Sequence, residues 1–270
     1  MVNGPPQTYV FDLDGVIYRG DEPQPHASET VRELKRRGRR VFFLTNNSSQ
    51  SREDYQVKLA GMGISARADD IMTSAHATAL YLLENAEPGE RVYVVGEAGL
   101  ARELDAAGID VVRDGYSGEV EYVVVGLDRR FNYDKLVRAQ QAILAGAKFV
   151  ATNRDATFPM EGGALMPGGG AIVSAIETAS GVRPVLIGKP ETYALQKLLE
   201  LAGSAPGSAV IVGDRLDTDI LVGNRLGMHT VLVLTGVSDA RAAAAVAPEM
   251  KPGRIIADLI DLFDESWIMA

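Results

Sequence analysis

The sequence has no cysteine among its 270 residues, which excludes disulfides, thiolate metal sites and cysteine nucleophiles together. A secreted fold that depends on disulfides is disfavoured for the same reason. Histidine is also scarce: His26, His76 and His229 stand far apart and form no H-x-x-x-H pair. A zinc site is therefore not expected.

Long apolar runs are missing as well, because the longest ones are strand-sized and a membrane span needs roughly 18–20 residues. The first residues, MVNGPPQTYV, have neither the basic region nor the apolar stretch that is typical of a signal peptide. We therefore expect a cytoplasmic protein without a membrane partner.

Positive charge is scarcer than negative charge, since 27 Lys and Arg stand against 36 Asp and Glu and give a net charge of −9. A nucleic-acid binder is expected to carry a basic face. The basic cluster KRRGRR, residues 35–40, is interpreted as the cationic end of a helix that Gly38 closes. The composition therefore predicts no nucleic-acid partner.

What the sequence does have is one repeated unit: an apolar strand, a turn of Gly, Asp or Asn, and an amphipathic helix. Continuous Val, Ile and Leu strands that alternate with helices are typical of a parallel sheet covered on both faces. The predicted fold is therefore α/β and doubly wound. A helix is predicted over Thr218–Leu226. The predicted strands are Tyr9–Leu13, Arg40–Leu44, Arg91–Val95, Tyr122–Val125, Phe149–Ala151, Val185–Ile187, Ala209–Val212, Thr230–Leu234 and Ile255–Ile256.

Polar and charged residues directly follow four of these strands. Because ligands bind at the carboxyl ends of strands in open α/β sheets, we expect these residues to meet at one edge. Carboxylates, a lysine and hydroxyl or amide donors together suit a hard divalent cation, Mg²⁺, beside a phosphate. The residues are Asp12 and Asp14 in YVFDLDGVIY, Thr45 and Asn46 in TNNSS, Lys189 in GKP, and Asp214, Asp217 and Asp219 in GDRLDTD.

The cation would balance the charge of Asp12, Asp14 and Asp214, while Thr45, Asn46 and Lys189 would hold the remaining phosphate oxygens. Each motif alone has a structural explanation: a D-x-D turn, a helix N-cap or a solvated turn. Their joint appearance, each directly after an apolar strand, favours a functional site.

Four segments, DLDGVIY, LTNNSS, IGKPE and VGDRLDTDI, resemble the four ordered motifs of the haloacid dehalogenase (HAD) superfamily. The segments LTNNSSQSREDYQVKLAGMGI, GLDRRFNYDKL and TNRDATFP are similar to its para-nitrophenyl phosphatase and phosphoglycolate phosphatase branch. The resemblance implies a Mg²⁺-dependent hydrolase of small phosphomonoesters that forms an aspartyl-phosphate.

The resemblance also implies a role for each motif residue. Asp12 would be the nucleophile and Asp14 the general acid and then base. Thr45, Asn46 and Lys189 would bind the phosphate. The implied metal ligands are Asp12, the backbone carbonyl of Asp14, and Asp214, with Asp219 as an acidic partner of the metal or its waters. The pattern assigns no role to Asp217.

For the architecture, the resemblance implies a Rossmann-like core of residues 1–77 and 183–270 with a smaller α/β cap, residues 78–182, inserted into it. Cap residues would select the substrate. Asn153 and Asp155 follow the strand at 149–151 and either select substrate or cap a turn. Both interpretations remain open from the sequence, and homodimerisation is a further expectation that comes from the family.

Two alternatives to a phosphatase are a phosphotransferase or mutase that uses the same aspartyl-phosphate, and a non-catalytic sensor of phosphorylated ligands. The short stretch between the first two motifs disfavours the mutase, because such enzymes generally carry a helical cap there. The sensor would be expected to lack Asp12, Asp14 or Lys189, and all three are present. The expected partner is a small phosphorylated metabolite, for example a sugar phosphate or a nucleoside monophosphate.

Overall fold

A computed structural model describes residues 6–113, 115, 118–159 and 165–264. The chain divides into two compact units. The first unit contains Met1–Thr45, Tyr55–Met72 and Lys189–Ala270, and the second contains Asn46–Asp54 and Thr73–Gly188. The predicted class is confirmed, because the chain forms parallel-sheet α/β structure with a second α/β domain inserted into the first.

Strands and helices alternate along most of the chain. The strands are β1 (Thr8–Phe11), β2 (Tyr18–Arg19), β3 (Glu22–Pro23), β4 (Arg40–Thr45), β5 (Ile71–Thr73), β6 (Arg91–Val95), β7 (Asp110–Val112), β8 (Tyr122–Val125), β9 (Lys148–Ala151), β10 (Thr157–Pro159), β11 (Leu165–Pro167), β12 (Val185–Leu186), β13 (Ala209–Gly213), β14 (His229–Val233) and β15 (Arg254–Ile256). The α-helices are α1 (Ala27–Arg36), α2 (Arg52–Gly61), α3 (Ser74–Asn85), α4 (Ala98–Ala106), α5 (Tyr133–Leu144), α6 (Gly169–Ser180), α7 (Tyr193–Leu201), α8 (Leu221–Leu226) and α9 (Ala240–Ala245).

The six-stranded sheet has the order β15-β14-β13-β1-β4-β5. β1 pairs in parallel with β13 on one side and with β4 on the other. All four residues of β1 and all five of β13 are buried, as expected for strands that helices cover on both faces. The strand order reverses beside β1, so its carboxyl end lies at the topological switch point where α/β sheets bind ligands.

The five-stranded sheet of the second unit has the order β12-β9-β8-β6-β7. Each of its pairings is parallel, and β8 in its middle is completely buried. The strands β10 and β11 form a separate antiparallel pair. The second unit therefore has its own sheet and its own apolar core, which includes Tyr93, Val123, Phe149 and Ile176.

The basic cluster at residues 35–40 forms a helix end, as predicted. α1 ends at Arg36, and Gly38 follows with a φ of 73°, in the left-handed region that closes helices. The N–H of Gly38 donates to the carbonyl of Lys35. Over the described ranges, no helix combines the length and the apolar character that crossing a membrane requires.

Candidate active site

Asp12 lies at the end of β1, where the chain leaves the sheet through a tight turn. Its N–H still donates to the carbonyl of Val212, at 2.9 Å, and its side chain is buried. The turn continues through Asp14 to Gly15, whose φ of 88° favours glycine. The N–H of Gly15 donates to the carbonyl of Tyr18, at 2.8 Å, which closes the turn.

Lys189 follows β12 in the chain and belongs to the first unit, where it is buried. Its Nζ donates to Oδ1 of Asp12 at 2.5 Å and to Oδ1 of Asp219 at 2.6 Å. The carbonyl of Leu44, in β4, lies 3.5 Å from the same atom. Lys189 therefore joins the motifs that follow β1, β12 and β13 by direct contacts within this unit.

Asp214 follows β13, and a π-helical turn over Leu216–Ile220 brings Asp219 back towards the strand end. Asp219 Oδ2 accepts from the N–H of Arg215 at 3.1 Å. A side chain at Gly213 would collide with Asp219, because a Cβ there would lie 2.1 Å from Cβ of Asp219. Glycine at position 213 is therefore what lets Asp219 pack onto the strand end.

The remaining acid of this motif, Asp217, points away from the cluster. It pairs with the guanidinium of Arg215 at 2.9 Å, and its side chain is 63% exposed. An exposed pair of this kind contributes little to stability. Asp217 is therefore a surface residue.

Three buried carboxylates, those of Asp12, Asp214 and Asp219, form a group whose ligand atoms lie within 4.8 Å of one another. Burial raises the pKa of Asp12 well above its usual value, although the positive charge of Lys189 acts to lower it. Burial and the charge of Asp219 raise the pKa of Asp214 to about 7. Burial alone would lower the pKa of Lys189, but the neighbouring carboxylates raise it above its usual value.

The residues present fit a divalent cation. Among the described residues, Oδ1 of Asp214 is buried and has no hydrogen-bond partner, while Oδ2 accepts from the N–H of Val237 at 2.7 Å. Both oxygens of Asp219 are already bound, by Lys189 and by the N–H of Arg215. The donor set therefore suits a hard cation held by Asp12 and Asp214, with Asp219 beside it.

Asp14 is half-buried and forms an isolated bridge with Tyr18. Burial and the nearby charge of Asp14 raise the pKa of Tyr18 and of Tyr55, and both tyrosines are almost fully enclosed. Two buried tyrosines therefore lie near enough to Asp14 to feel its charge.

The two phosphate-binding candidates of the TNNSS motif divide between the units. Thr45 is the last residue of β4 and is buried in the first unit. Asn46 belongs to the second unit, where its carbonyl accepts from Ser74 Oγ at 2.5 Å and from Asn153 Nδ2 at 2.7 Å.

Asn153 and Asp155 form one hydrogen-bonded network with Asn46. Asn46 Nδ2 donates to Oδ1 of Asp155 at 3.2 Å, and the N–H of Asp155 donates to Oδ1 of Asn153 at 3.0 Å. Asn153 is buried, whereas Asp155 is half-buried. The two residues therefore fix the side chain and the carbonyl of Asn46, in addition to shaping their own turn.

The sequence reasoning missed the segment that follows β14. The N–H of Val237 binds Asp214, and Gly236 lies so close that a Cβ there would be 1.9 Å from Oδ2 of Asp214. The signal was present, because LTGVS follows a buried strand just as the four motifs do. The groups of this segment that bind Asp214 are backbone N–H groups, and their positions cannot be recognised from the residue types in a sequence.

Family models match both parts of the chain. A model described as haloacid dehalogenase-like hydrolase matches residues 9–110, and one described as HAD-hydrolase-like matches residues 186–262. The first covers the segments with Asp12, Asp14, Thr45 and Asn46, and the second covers those with Lys189 and the acidic motif after β13.

Similar proteins carry phosphatase names. The acid sugar phosphatase of Staphylococcus saprophyticus is 41% identical over 86% of this chain and 88% of its own length. The crystal structure of glycerol phosphate phosphatase from Mycobacterium tuberculosis in complex with magnesium has a TM-score of 0.86 at 36% identity, covering 95% of this chain and 76% of that one. The p-nitrophenyl phosphatase from Archaeoglobus fulgidus has a TM-score of 0.88 at 33% identity, covering 97% and 99%.

Proposed function

This chain belongs to the haloacid dehalogenase-like hydrolases and is a phosphoric monoester hydrolase, and we propose that it cleaves small phosphomonoesters with Mg²⁺ through an aspartyl-phosphate at Asp12. The observation that carries this proposal is the buried group of three carboxylates around Lys189, in which one oxygen of Asp214 has no partner among the described residues. Such an excess of buried negative charge is costly, and a bound cation would relieve it.

The proposed metal ligands are Asp12, Asp214 and the backbone carbonyl of Asp14. Asp219 is proposed to bind the waters of the metal, because its oxygens are occupied by Lys189 and by the N–H of Arg215. Bound Mg²⁺ would supply Lewis-acid charge neutralisation at the phosphate oxygens. A glycerol phosphate phosphatase of similar structure was crystallised with magnesium and also with calcium, and this supports a divalent cation at the site.

In the proposed first step, a carboxylate oxygen of Asp12 forms a bond to phosphorus while the bond from phosphorus to the leaving oxygen breaks. Asp14 donates a proton to that oxygen, and the alcohol departs. Lys189 holds Asp12 in place and neutralises charge on the transferred group, because its Nζ already contacts Oδ1 of Asp12. Thr45, with Asn46 next to it in the chain, is proposed to donate hydrogen bonds to the phosphate.

In the proposed second step, a water molecule attacks phosphorus and gives a proton to Asp14. The bond from Asp12 to phosphorus breaks, and inorganic phosphate leaves. Asp14 must therefore accept the proton that it will donate in the next turnover.

Sugar phosphates and glycerol phosphate are the proposed substrate classes, since similar proteins are named for them, and p-nitrophenyl phosphate is the proposed test substrate. Asn153 and Asp155 are proposed to contribute to substrate choice through Asn46, which both of them contact. We also propose that the protein acts in the cytoplasm on small metabolites.

The test is phosphate release from a panel of sugar phosphates, glycerol phosphate, nucleoside monophosphates and p-nitrophenyl phosphate, with Mg²⁺ and with EDTA. The variant Asp12→Asn, which keeps the shape of the side chain, is measured in parallel. We expect release that needs Mg²⁺ and disappears in the variant, and the ranking of esters then identifies the substrate class. Activity that survives in pure Asp12→Asn would contradict the assignment, and release only with added sugar acceptor would indicate a phosphotransferase.

A further inference from the structure

We propose that the turn after β14, residues 235–238 (named here the clamp), together with Gln24, is a positioning device that sets the affinity of the site for Mg²⁺. This inference rests on the proposed function, because it concerns the metal site of that function. All the residues involved belong to the first unit.

The clamp holds Asp214 from two sides. The N–H of Val237 donates to Oδ2 of Asp214 at 2.7 Å, and the N–H of Ser238 donates to its backbone carbonyl at 3.0 Å. Gly236 packs against the same carboxylate so closely that a Cβ there would collide with it. One oxygen is thereby fixed, and the other oxygen has no hydrogen-bond partner within the part of the chain that is described.

The clamp also holds the turn that carries Asp12 and Asp14. Thr235 donates its hydroxyl to the carbonyl of Gly15 at 2.8 Å, and Gln24 Nε2 approaches the same oxygen at 3.3 Å. The N–H of Gly15 is bound by the carbonyl of Tyr18. Both peptides that flank Gly15 are therefore held: Tyr18 binds the one that follows Asp14, and the clamp binds the next one.

The clamp is itself supported. The carbonyl of Thr235 accepts from Arg19 Nη2 at 3.0 Å and from Gln24 Nε2 at 3.3 Å. Gln24 thus links Thr235 and Gly15 through two carbonyl groups.

A single short turn consequently sets the distance between the two acidic loops. A Cβ at Gly15 would lie 2.4 Å from Oδ2 of Asp214 and 3.2 Å from Cα of Gly236, so these three residues meet directly. None of the clamp side chains is a proposed ligand. Groups that orient metal ligands from outside typically change metal affinity by about 10–100-fold when they are removed.

The test measures Mg²⁺ binding by calorimetry on the full chain, with no substrate present. Thr235→Val replaces the hydroxyl with a methyl group and is expected to raise the dissociation constant for Mg²⁺ about tenfold. Thr235→Ser keeps the donor and is expected to stay within about twofold of the unchanged protein. Gln24→Met removes the second donor and is expected to weaken binding about threefold.

Thr230→Val is the matched control, because Thr230 lies at the other end of β14 and its hydroxyl contacts Asn224 and Gly253 instead. We expect it to lower the melting temperature and to leave the Mg²⁺ affinity unchanged. For Thr235→Val, kcat should fall at limiting Mg²⁺ and recover at high Mg²⁺, while KM for the ester stays constant.

Wild-type Mg²⁺ affinity in folded Thr235→Val would overturn the inference and leave the proposed function intact. Equal weakening by Thr230→Val would overturn it as well, since the effect would then be general destabilisation. If Thr235→Val fails to fold, Gln24→Met serves as the test instead. An unchanged Mg²⁺ affinity in folded Gln24→Met would then overturn the inference. Absence of Mg²⁺ binding to the unchanged protein would contradict the proposed function first and the inference with it.

Discussion

Two buried charged clusters, one in each unit, differ in how completely their charges are paired. In the first unit, a group of three carboxylates has one ammonium beside it, that of Lys189, which contacts Asp12 and Asp219. In the second unit, the single carboxylate of Glu103 contacts the guanidinium of Arg52 and the imidazole of His76, each at 3.2 Å. One cluster has more anionic groups than cationic partners, and the other does not.

The Glu103 cluster is satisfied by its own residues. The carboxylate also accepts from the N–H of Arg52 at 2.7 Å. Burial by itself would raise the pKa of Glu103, but the hydrogen bonds from His76 and Arg52 lower it below its usual value. A buried charge with this set of partners needs nothing further and acts as a structural contact.

In the Lys189 cluster, by contrast, burial and the charge of Asp219 raise the pKa of Asp214 to about 7. Unpaired buried charge is costly, so a fold retains it only where another group completes the balance. The comparison teaches that burial alone does not distinguish a functional cluster from a structural one. An excess of buried charge of one sign does distinguish the functional cluster from the structural one.

The largest effect is expected for Lys189→Met. The variant keeps an unbranched apolar side chain of similar volume and removes its charge, so kcat/KM for phosphate release should fall by at least about a hundredfold. Without the ammonium, Asp12 and Asp219 would repel each other and favour a shared proton. Steady-state kinetics at saturating Mg²⁺ measure the loss.

Lys197→Met is the control for this variant. Lys197 lies on α7 and pairs with Glu200 at 2.8 Å on the surface. Its kinetic constants should match those of the unchanged protein. Circular dichroism must show Lys189→Met to be folded, and a folded variant with full activity would remove Lys189 from the proposed mechanism.

The second prediction concerns Mg²⁺ and Asp214→Asn. At a Mg²⁺ concentration 100 times the dissociation constant, the ion should stabilise the unchanged protein by about 2.7 kcal/mol. Asp214→Asn should lose this gain, yet in EDTA it should be at least as stable as the unchanged protein. The reason is that an amide still accepts from the N–H of Val237 and adds no charge to the cluster.

Urea denaturation with Mg²⁺ and with EDTA checks both parts of this prediction. A strong loss of stability for Asp214→Asn in EDTA would mean that the carboxylate is paired after all. The contrast between the two clusters would then disappear.

Much of the fold follows from local sequence signals. Each of the nine predicted strands overlaps an observed strand, because runs such as YVVV and AVIV are long enough to show burial on both faces. The three-residue strand β5 was missed. The helix predicted over Thr218–Leu226 begins instead as a π-helical turn, which lets Asp219 reach Lys189.

For the candidate site, the sequence predicted the charged side chains but not the contacts that position them. The rule that ligands bind at strand ends selected Asp12, Lys189, Asp214 and Asp219, and these residues do lie together. The same rule could not find the contacts that position them. The N–H of Val237 has no sequence signature, and Glu103 reaches Arg52 across 51 positions, a pairing that only the tertiary structure creates.

The third prediction is the opposite behaviour of the second cluster. Glu103→Gln should destabilise the protein at pH 7 by about 2 kcal/mol, because Arg52 and His76 lose a buried carboxylate partner. Mg²⁺ affinity should not change. Asp105→Asn is the control on the same helix, since Asp105 and its partner Arg113 are both more than half exposed and should contribute under about 1 kcal/mol.

The pH dependence of this destabilisation follows from the lowered pKa of Glu103. A carboxyl group that is more acidic in the folded state stabilises the fold fully above its unfolded value, about 4.3, and loses this contribution as the pH falls through the lower folded value. The difference between the unchanged protein and Glu103→Gln should therefore be constant near neutrality and shrink below about pH 4. Urea denaturation at pH 7, 5 and 3.5 measures it, and a difference that grows from pH 5 to pH 3.5 would mean that the ionised carboxylate does not stabilise this cluster.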